Sequence, residues 1–345
     1  MSIKDVAREA GVSTATVSHV LNRTRFVSEE TRLKVVSAVE RCNYYPNAHA
    51  RSLASGRSHT IGLLVSDISN PFFPELAKSV EDVAFERGYD VMLLNTKYDA
   101  KRTSHYVRRL IERKVAGVAL MTSELDFAVI DELARKHVSV VFLDLGTAAE
   151  RMSNLTVDYA MGITEAVRYL AQLGHENIAY IGGPNRLRSA AKRLEAFRHA
   201  LAEVLPAVEP FGVFEGNFQV DGGRRIAREI LGGGAPLPTA IITANDLMAL
   251  GVMQECRAAG VSIPGDISII GFDDIAFAAL AYPPLTTVCL PRNELGRRAV
   301  EALIMTIEEP THQGVELRIP TYLVKRGSVD RARKSLSYGD KRLTA

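Results

Sequence analysis

Residues 2–22, SIKDVAREAGVSTATVSHVLN, carry the pattern that decides the architecture of the N-terminal part of this chain. Ser2 and Asp5 stand at the Ser-x-x-Asp spacing of a capping box, which satisfies backbone donors left over in the first turn of a helix. Val6, Ala7 and Ala10 fall on one helical face, and Gly11 follows where a helix ends most easily in the left-handed region. Ser13 is placed to cap a second helix whose apolar positions are Val17, Val20 and Leu21. Two short helices joined by a tight Ala-Gly-Val turn form a helix-turn-helix. The outward positions of the second helix, Thr14, Ala15, Thr16, Ser18, His19 and Asn22, are short or polar, and none is acidic. Such a surface can lie against base edges and phosphates in a major groove. Ser28 is expected to cap a third helix, with Leu33, Val36 and Val39 facing the first two.

Phosphate binding needs positive charge in the same place. Residues 1–60 hold nine Lys/Arg and five Asp/Glu, a balance of +4, whereas residues 61–345 hold 33 and 35, a balance of −2. The whole chain is 47% hydrophobic and 24% charged, which suits a soluble globular protein of two or three domains. Cys42, Cys256 and Cys289 are far apart and lack metal-ligand spacing, so they read as buried free thiols in a reducing compartment. Asp5, Arg8 and Glu9 interrupt any signal-like apolar run, and no stretch approaches the ~20 apolar residues of a membrane span. A cytoplasmic location is expected.

After Tyr45-Pro46-Asn47 comes AHARSLASG, in which Asn47 can cap a short helix and Gly56 can end it. With Leu53 as its one large apolar residue, it is either an ordinary linker or a helix that orders only against a partner. From Thr60 the rhythm changes. TIGLLVS, YDVMLLN, VAGVALM and VSVVFLD are short, nearly continuous apolar runs separated by helical patterns. The alternation starts again after Asp158 with NIAYIGG, TAIITA and ISIIGFDD, so two similar α/β halves with buried parallel strands are expected. TTVCL, a helix over 293–307 and ELRIPTYLV remain to cross back and complete both sheets, and residues from 329 onward read as a disordered tail.

Taken together these residues closely resemble the lactose/galactose-repressor family of bacterial transcription regulators over essentially the whole chain. KDVAREAGVSTATVSHVLN followed by TRFVSEETR is most similar to its purine- and ribose-repressor branch, ARSLASG resembles its hinge helix, and SNPFF, TANDLMALG, IPGDISIIGFDD and PPLTTV resemble its type I periplasmic sugar-binding fold. The implied organisation is a helix-turn-helix headpiece (1–46), a hinge helix (47–58), a two-lobed α/β effector and dimerisation domain with parallel sheets (59–328) and the tail (329–345). Within the effector domain the N-lobe takes about 59–157 plus 290–319, and the C-lobe about 158–289 plus 320–328. The resemblance makes Thr14, Ala15 and His19 base readers, sets Thr16 and Asn22 nearer the phosphates, and makes Leu53 a wedge that unstacks a central CpG step. Where the purine branch has a lysine after this leucine, the chain has Ala54.

In the cleft between lobes the resemblance implies an effector site of Asn70, Phe72, Phe73, Asp144, Arg193, Phe218, Asn245 and Asp273. Asp, Asn and Arg match sugar hydroxyls, and phenylalanines stack on the apolar faces of a sugar ring. Asp144 and Asp273 are read as acceptors for those hydroxyls. Leu145 and Leu290 replace an arginine and a glutamine of sugar-binding relatives, and Leu187 stands where the purine repressor has its base-contacting arginine. A monosaccharide is therefore the expected effector, with a phosphorylated sugar (through Arg186, Arg188 and Lys192) or a nucleoside-type effector as alternatives. No phosphate-binding glycine loop, HExxH or GxSxG supports an enzyme, and neither a metal nor a cofactor is expected. A solute-binding protein without DNA function would not carry the N-terminal helices. The expected partners are double-stranded operator DNA, the effector and a second copy of the chain, without a membrane.

Overall fold

The computed structural model describes residues 1–22, 25–45, 58–122, 124–145, 147–233, 236–309 and 311–333, and the chain divides into two units, Met1–Ser58 and His59–Ala345. Of the hinge read at 47–58, residues 47–57, with Leu53 and Ala54, lie outside the described residues.

The first unit consists of α1 (Ile3–Ala10), α2 (Thr14–Asn22) and α3 (Glu29–Arg41). The amide and the hydroxyl of Ser2 each donate to the Asp5 carboxylate at 2.8 Å. Gly11 has φ 65°, and Ser13 and Ser28 accept from the amides of Thr16 and Thr31 at 3.1 and 3.4 Å. The small core is Val6, Ala7, Val17, Val35, Ala38 and Cys42. The expected inner face of α3 is corrected here: Leu33 and Val36 are 56% and 38% exposed, and Val35 and Ala38 are buried instead. Val35, Ala38, Val39 and Cys42 follow i, i+3, i+4 and i+7, which keeps to one face of a helix, whereas a strict i+3 run drifts around it.

In the second unit the first half of the chain forms β1 (Thr60–Val65), β2 (Asp90–Asn95), β3 (Gly117–Met121), β4 (Ser139–Leu143) and β5 (Met152–Asp158). The second half adds β6 (Ile178–Gly182), β7 (Gly212–Glu215), β8 (Ala240–Thr243), β9 (Ser268–Asp273), β10 (Thr286–Cys289), β11 (Glu316–Pro320) and β12 (Tyr322–Val324). They make two six-stranded sheets, β11-β5-β4-β3-β1-β2 and β12-β10-β9-β8-β6-β7. All pairings are parallel except β10 with β12. Such sheets need cover on both faces, and helices between the strands supply it. The chain changes lobe after β5, along the helix Arg292–Glu308, and at Thr321 between β11 and β12. The run ELRIPTYLV is therefore two strands in two sheets. Thr321 marks the break: its hydroxyl accepts from Gly162 N at 3.0 Å and donates to Asp158 O at 2.6 Å.

The tail reading needs a correction at its start. Ser328 and Val329 are buried, Ala332 N donates to Leu173 O at 2.9 Å, and His175 Nε2 meets Asp330 O at 2.8 Å. Residues 329–333 thus run along the second lobe because backbone and histidine partners wait there. The remainder of the tail lies outside the described residues.

Helices Val220–Gly232 and Asp246–Ala258 cross at two glycines. A Cβ on Gly223 would stand 2.1 Å from Met248 O, and one on Gly251 would stand 2.1 Å from Val220 O. Backbone cannot yield as a flexible side-chain tip can. Gly251→Ala is expected to lower stability by about 1–3 kcal/mol, the usual range for overpacking, as read by urea denaturation. An unchanged midpoint would show that the helices separate freely.

Candidate functional site

On α2, Thr14, Ala15 and Asn22 are exposed, and Thr16 and His19 are half-buried along the same helix. Thr16 Oγ1 lies 2.9 Å from Ser13 Oγ, and Asn22 Nδ2 donates to Ser18 Oγ at 3.1 Å. Short side chains tied back to their own helix leave its surface low enough to enter a groove. Glu9, in the last turn of the first helix, is held by Arg41 at 2.9 Å.

The second unit gathers its polar groups in one cleft at the carboxyl ends of the strands, where open α/β sheets bind ligands. Asn70, Phe72 and Phe73 follow β1, Asp144 follows β4, Arg193 lies on the helix after β6, Phe218 follows β7, Asn245 follows β8 and Asp273 ends β9. All eight residues singled out from the sequence line this cleft. Ser66, Tyr98, Met121, Thr122, Leu143, Tyr159, Ser189 and Leu290 line it too. Of these only Leu290 drew notice in the sequence, because a lone tyrosine or serine after a strand carries no periodic signal. Leu145 does not line the cleft; it packs in the core of the first lobe with Leu120, Leu125 and Met152. Leu187 likewise is buried at the start of the helix Arg188–Val204.

Arg193 is the centre of the site. Its guanidinium donates to Ala244 O at 3.0 Å and to Asp273 Oδ1 at 3.2 Å, and it stacks 4.3 Å from the centroid of Phe272. Tyr159 and Phe218 stand 5.4 and 5.6 Å away. Its Nε is buried without a hydrogen-bond partner among the described residues. A buried unpaired donor on a cation is costly, and Arg193 Nε lacks the acceptor that would offset its burial. Asp273 is pushed up to about 6 by burial, against the pull of Arg193 and Arg292 and a hydrogen bond from Asn70.

Other polar groups are committed to protein partners. Asn245 caps the next helix through Met248 N at 3.1 Å and donates to Phe218 O at 2.9 Å. Asn70 Oδ1 accepts from Phe72 N at 3.0 Å. The reading of Asp144 as a free acceptor is corrected: Val157 N and Lys192 Nζ reach Oδ1 at 3.0 and 3.1 Å, and Tyr159 Oη reaches Oδ2 at 2.8 Å. Asp144 holds Tyr159 and Lys192 in place. Tyr98 of the first lobe stacks on Phe218 of the second, with centroids 6.1 Å apart. Tyr98, Asp144, Phe218 and Asp273 all have positive φ, of 55°, 61°, 63° and 111°. Such backbone strain persists where surrounding contacts over-determine it, and it clusters at ligand clamps.

Comparison with known proteins accounts for both units. Residues 2–47 match "Bacterial regulatory proteins, lacI family", and residues 167–329 match "Periplasmic binding protein-like domain". The ribose operon repressor of Escherichia coli (strain K12) is 39% identical over 329 residues, covering 95% of this chain and 99% of that protein. The HTH-type transcriptional repressor PurR of Photobacterium profundum is 37% identical over 329 residues, covering 95% and 98%. The Lac repressor dimer bound to operator and the anti-inducer ONPF is 30% identical with a TM-score of 0.85, covering 96% of this chain and 99% of that one. A LacI family transcriptional regulator from Enterococcus faecium with bound ribose is 30% identical with a TM-score of 0.71, covering 79% and 100%. This chain belongs to the lacI family of bacterial regulatory proteins: it is a transcriptional repressor and not an enzyme, with a DNA-binding helix-turn-helix unit followed by a periplasmic-binding-like ligand domain.

Proposed function

We propose that this repressor binds a pseudo-palindromic operator as a homodimer, and that a neutral monosaccharide beside Arg193 sets its operator affinity. The buried, unpaired Nε of Arg193 carries the reading: with Asp273 it offers a fork for a ring oxygen and an acceptor for a hydroxyl. The aromatic rings of Phe72, Phe73 and Phe218 supply faces for the apolar side of the sugar. Ribose in the Enterococcus faecium relative supports the same ligand class. A phosphorylated sugar is less well served, because Lys192 is engaged by Asp144 and Arg186 donates to Tyr98 O at 3.4 Å. Calorimetry with monosaccharides, their phosphates and nucleobases tests the assignment. Tight binding of a nucleobase or a sugar phosphate, with none of a neutral sugar, would overturn it.

Thr14, Ala15 and His19 are assigned to base edges, Thr16 and Asn22 to the vicinity of phosphates, and Leu53 to the minor groove. Two recognition helices related by a two-fold axis need a palindrome of about 14–20 base pairs, here with a central CG step. Exposed Phe277, Leu280 and Tyr282 offer apolar area that a second subunit can cover. Ala15 offers only a methyl group, so discrimination at its base pair is expected to fall below the ~1–3 kcal/mol of a bidentate contact. Binding-site selection from random DNA checks this; a preferred site without dyad symmetry would sink it.

Effector affinity is also expected to depend on pH. Ionised Asp273 is the stronger acceptor for a ligand hydroxyl, and burial moves its ionisation up to about 6. Affinity should therefore fall as pH drops through that value, by up to about tenfold per unit. Ligand-free stability runs the other way. A carboxyl protonated more readily in the folded chain contributes most at acid pH and loses that contribution as pH rises towards about 6. Calorimetric titrations between pH 5 and 8 that gave one constant affinity would remove Asp273 from the ligand's contacts.

A further inference from the structure

We infer that Asp246 is held in the folded repressor as a neutral carboxylic acid, and that in this form it is the positioning residue that aims Asp273 into the ligand cleft. Asp246 opens the helix that follows β8, one residue after Asn245, and is fully buried. Its Oδ2 accepts from Ile275 N at 2.9 Å, and its Oδ1 lies 2.6 Å from Thr287 Oγ1. Strand β9 runs flush against it: a Cβ at Gly271 would stand 2.1 Å from Asp246 Oδ1.

The contact to Ile275 holds an unusual turn. Asp273 and Asp274 are consecutive non-glycine residues with φ of 111° and 58°, a conformation that costs free energy at each and needs external anchors. Arg292 supplies one anchor, donating to Asp273 O at 2.6 Å, and Arg326 supplies another through Asp274 Oδ1 at 2.6 Å. Asp246 supplies the third, from inside the lobe. Without it the Ile275 amide is buried without an acceptor and the Asp273 carboxyl loses its aim at Arg193.

The charge state follows from what surrounds the group. The charged side chains that act most on Asp246 are Asp273 and Asp274, both acidic. The cations of this region are spent elsewhere: Arg193 on Asp273, Arg292 on Glu75 at 2.8 Å, and Arg326 on Asp274. A fully buried carboxyl facing two acids, with no cation of its own among the described residues, is more stable protonated. Burial first and Asp273 second push its ionisation well above the ordinary carboxylate range, beyond what the bonds from Thr287 and Ile275 draw back. A neutral acid can donate to Thr287 while accepting from Ile275, and an asparagine can make both bonds as well.

The test uses the full-length repressor without ligand. Above about pH 6 Asp273 is ionised in the folded chain, so the slope that remains between pH 6.5 and 8.5 isolates Asp246. The folding equilibrium constant of the wild type, divided by that of Asp246→Asn, is expected to fall by up to about tenfold per pH unit, because only the wild type releases a proton on unfolding. Parallel curves would overturn the neutral acid. Should the variant fail to fold, the carboxyl carbon resonance of Asp246 in the intact wild type decides the same point: it is expected at the protonated position at pH 7, and an ionised shift would overturn the assignment. The positioning role rests on the reading of Asp273 as a ligand contact and is read with D-ribose by calorimetry. Asp246→Asn should keep wild-type affinity, and Asp246→Ala should lose at least about tenfold, as expected when a buried amide is left unpaired. Equal affinity of the alanine variant would overturn the positioning role. If the wild type binds no ribose, the shift of the Asp273 carboxyl resonance towards an exposed carboxyl in Asp246→Ala decides it, and its absence overturns the role. The failure then belongs to the ligand assignment alone.

Discussion

Asp273→Ala is expected to weaken monosaccharide binding by about 2–5 kcal/mol, the range seen when one partner of a buried hydrogen-bonded charge pair is removed. The loss has two sources. The sugar loses an acceptor, and Arg193 is left buried with Ala244 O, at 3.0 Å, as its remaining hydrogen-bond partner among the described residues. The second source acts before any ligand arrives, since an uncompensated buried guanidinium draws water or shifts towards solvent and disorders the fork. Arg193 is packed over Phe272 and between Tyr159 and Phe218, so its movement disturbs the aromatic faces as well. Operator affinity without effector should change little, because the DNA-binding helix-turn-helix belongs to a separate unit. Calorimetry and a fluorescence-anisotropy titration on operator DNA read the two quantities separately. Sugar binding that survives the substitution at wild-type strength would remove Arg193 and Asp273 from the site.

Leu53→Ala is expected to weaken operator binding by a few kcal/mol while leaving effector binding intact. A wedge in the minor groove stabilises a kinked duplex, and the kink increases the protein surface in contact with DNA. An alanine methyl cannot unstack a base step. His19→Ala should act differently, relaxing sequence preference at one base pair with a smaller loss of affinity on the best site. The contrast separates shape readout from base readout, and the comparison needs only two operators, one with the central CG step and one without it. If Leu53→Ala bound both as the wild type does, the linker would act as a tether.

Local chemistry alone determined a large part of this protein. The caps at Ser2, Ser13 and Ser28 and the left-handed Gly11 lie within four residues of the helix ends they serve, so the N-terminal unit was legible from short-range hydrogen bonding. The apolar runs of β1, β3, β4, β6 and β9 were legible because strands buried on both faces need continuous apolar side chains. Strand β5 was not, since Ser153, Asn154 and Thr156 interrupt it, and Ser153 and Thr156 bond to partners distant in sequence, Val315 N and Glu316. Strand β7, at a sheet edge, alternates between half-buried and exposed positions and resembles a loop. The inward face of α3 differs from the expected one because Leu33, Val36 and Val39 follow a strict i+3 spacing that drifts around a helix, whereas Val35, Ala38, Val39 and Cys42 keep to one face. In the cleft, resemblance named the residues, but only the tertiary structure shows which of them are tied to protein partners. Lys192 and Tyr159 arrive at Asp144 from other elements and occupy it, whereas Arg193 keeps a buried donor without a partner among the described residues. Which polar groups are spent on the protein and which are left for a ligand depends on contacts across tens to hundreds of residues, and no local pattern records them.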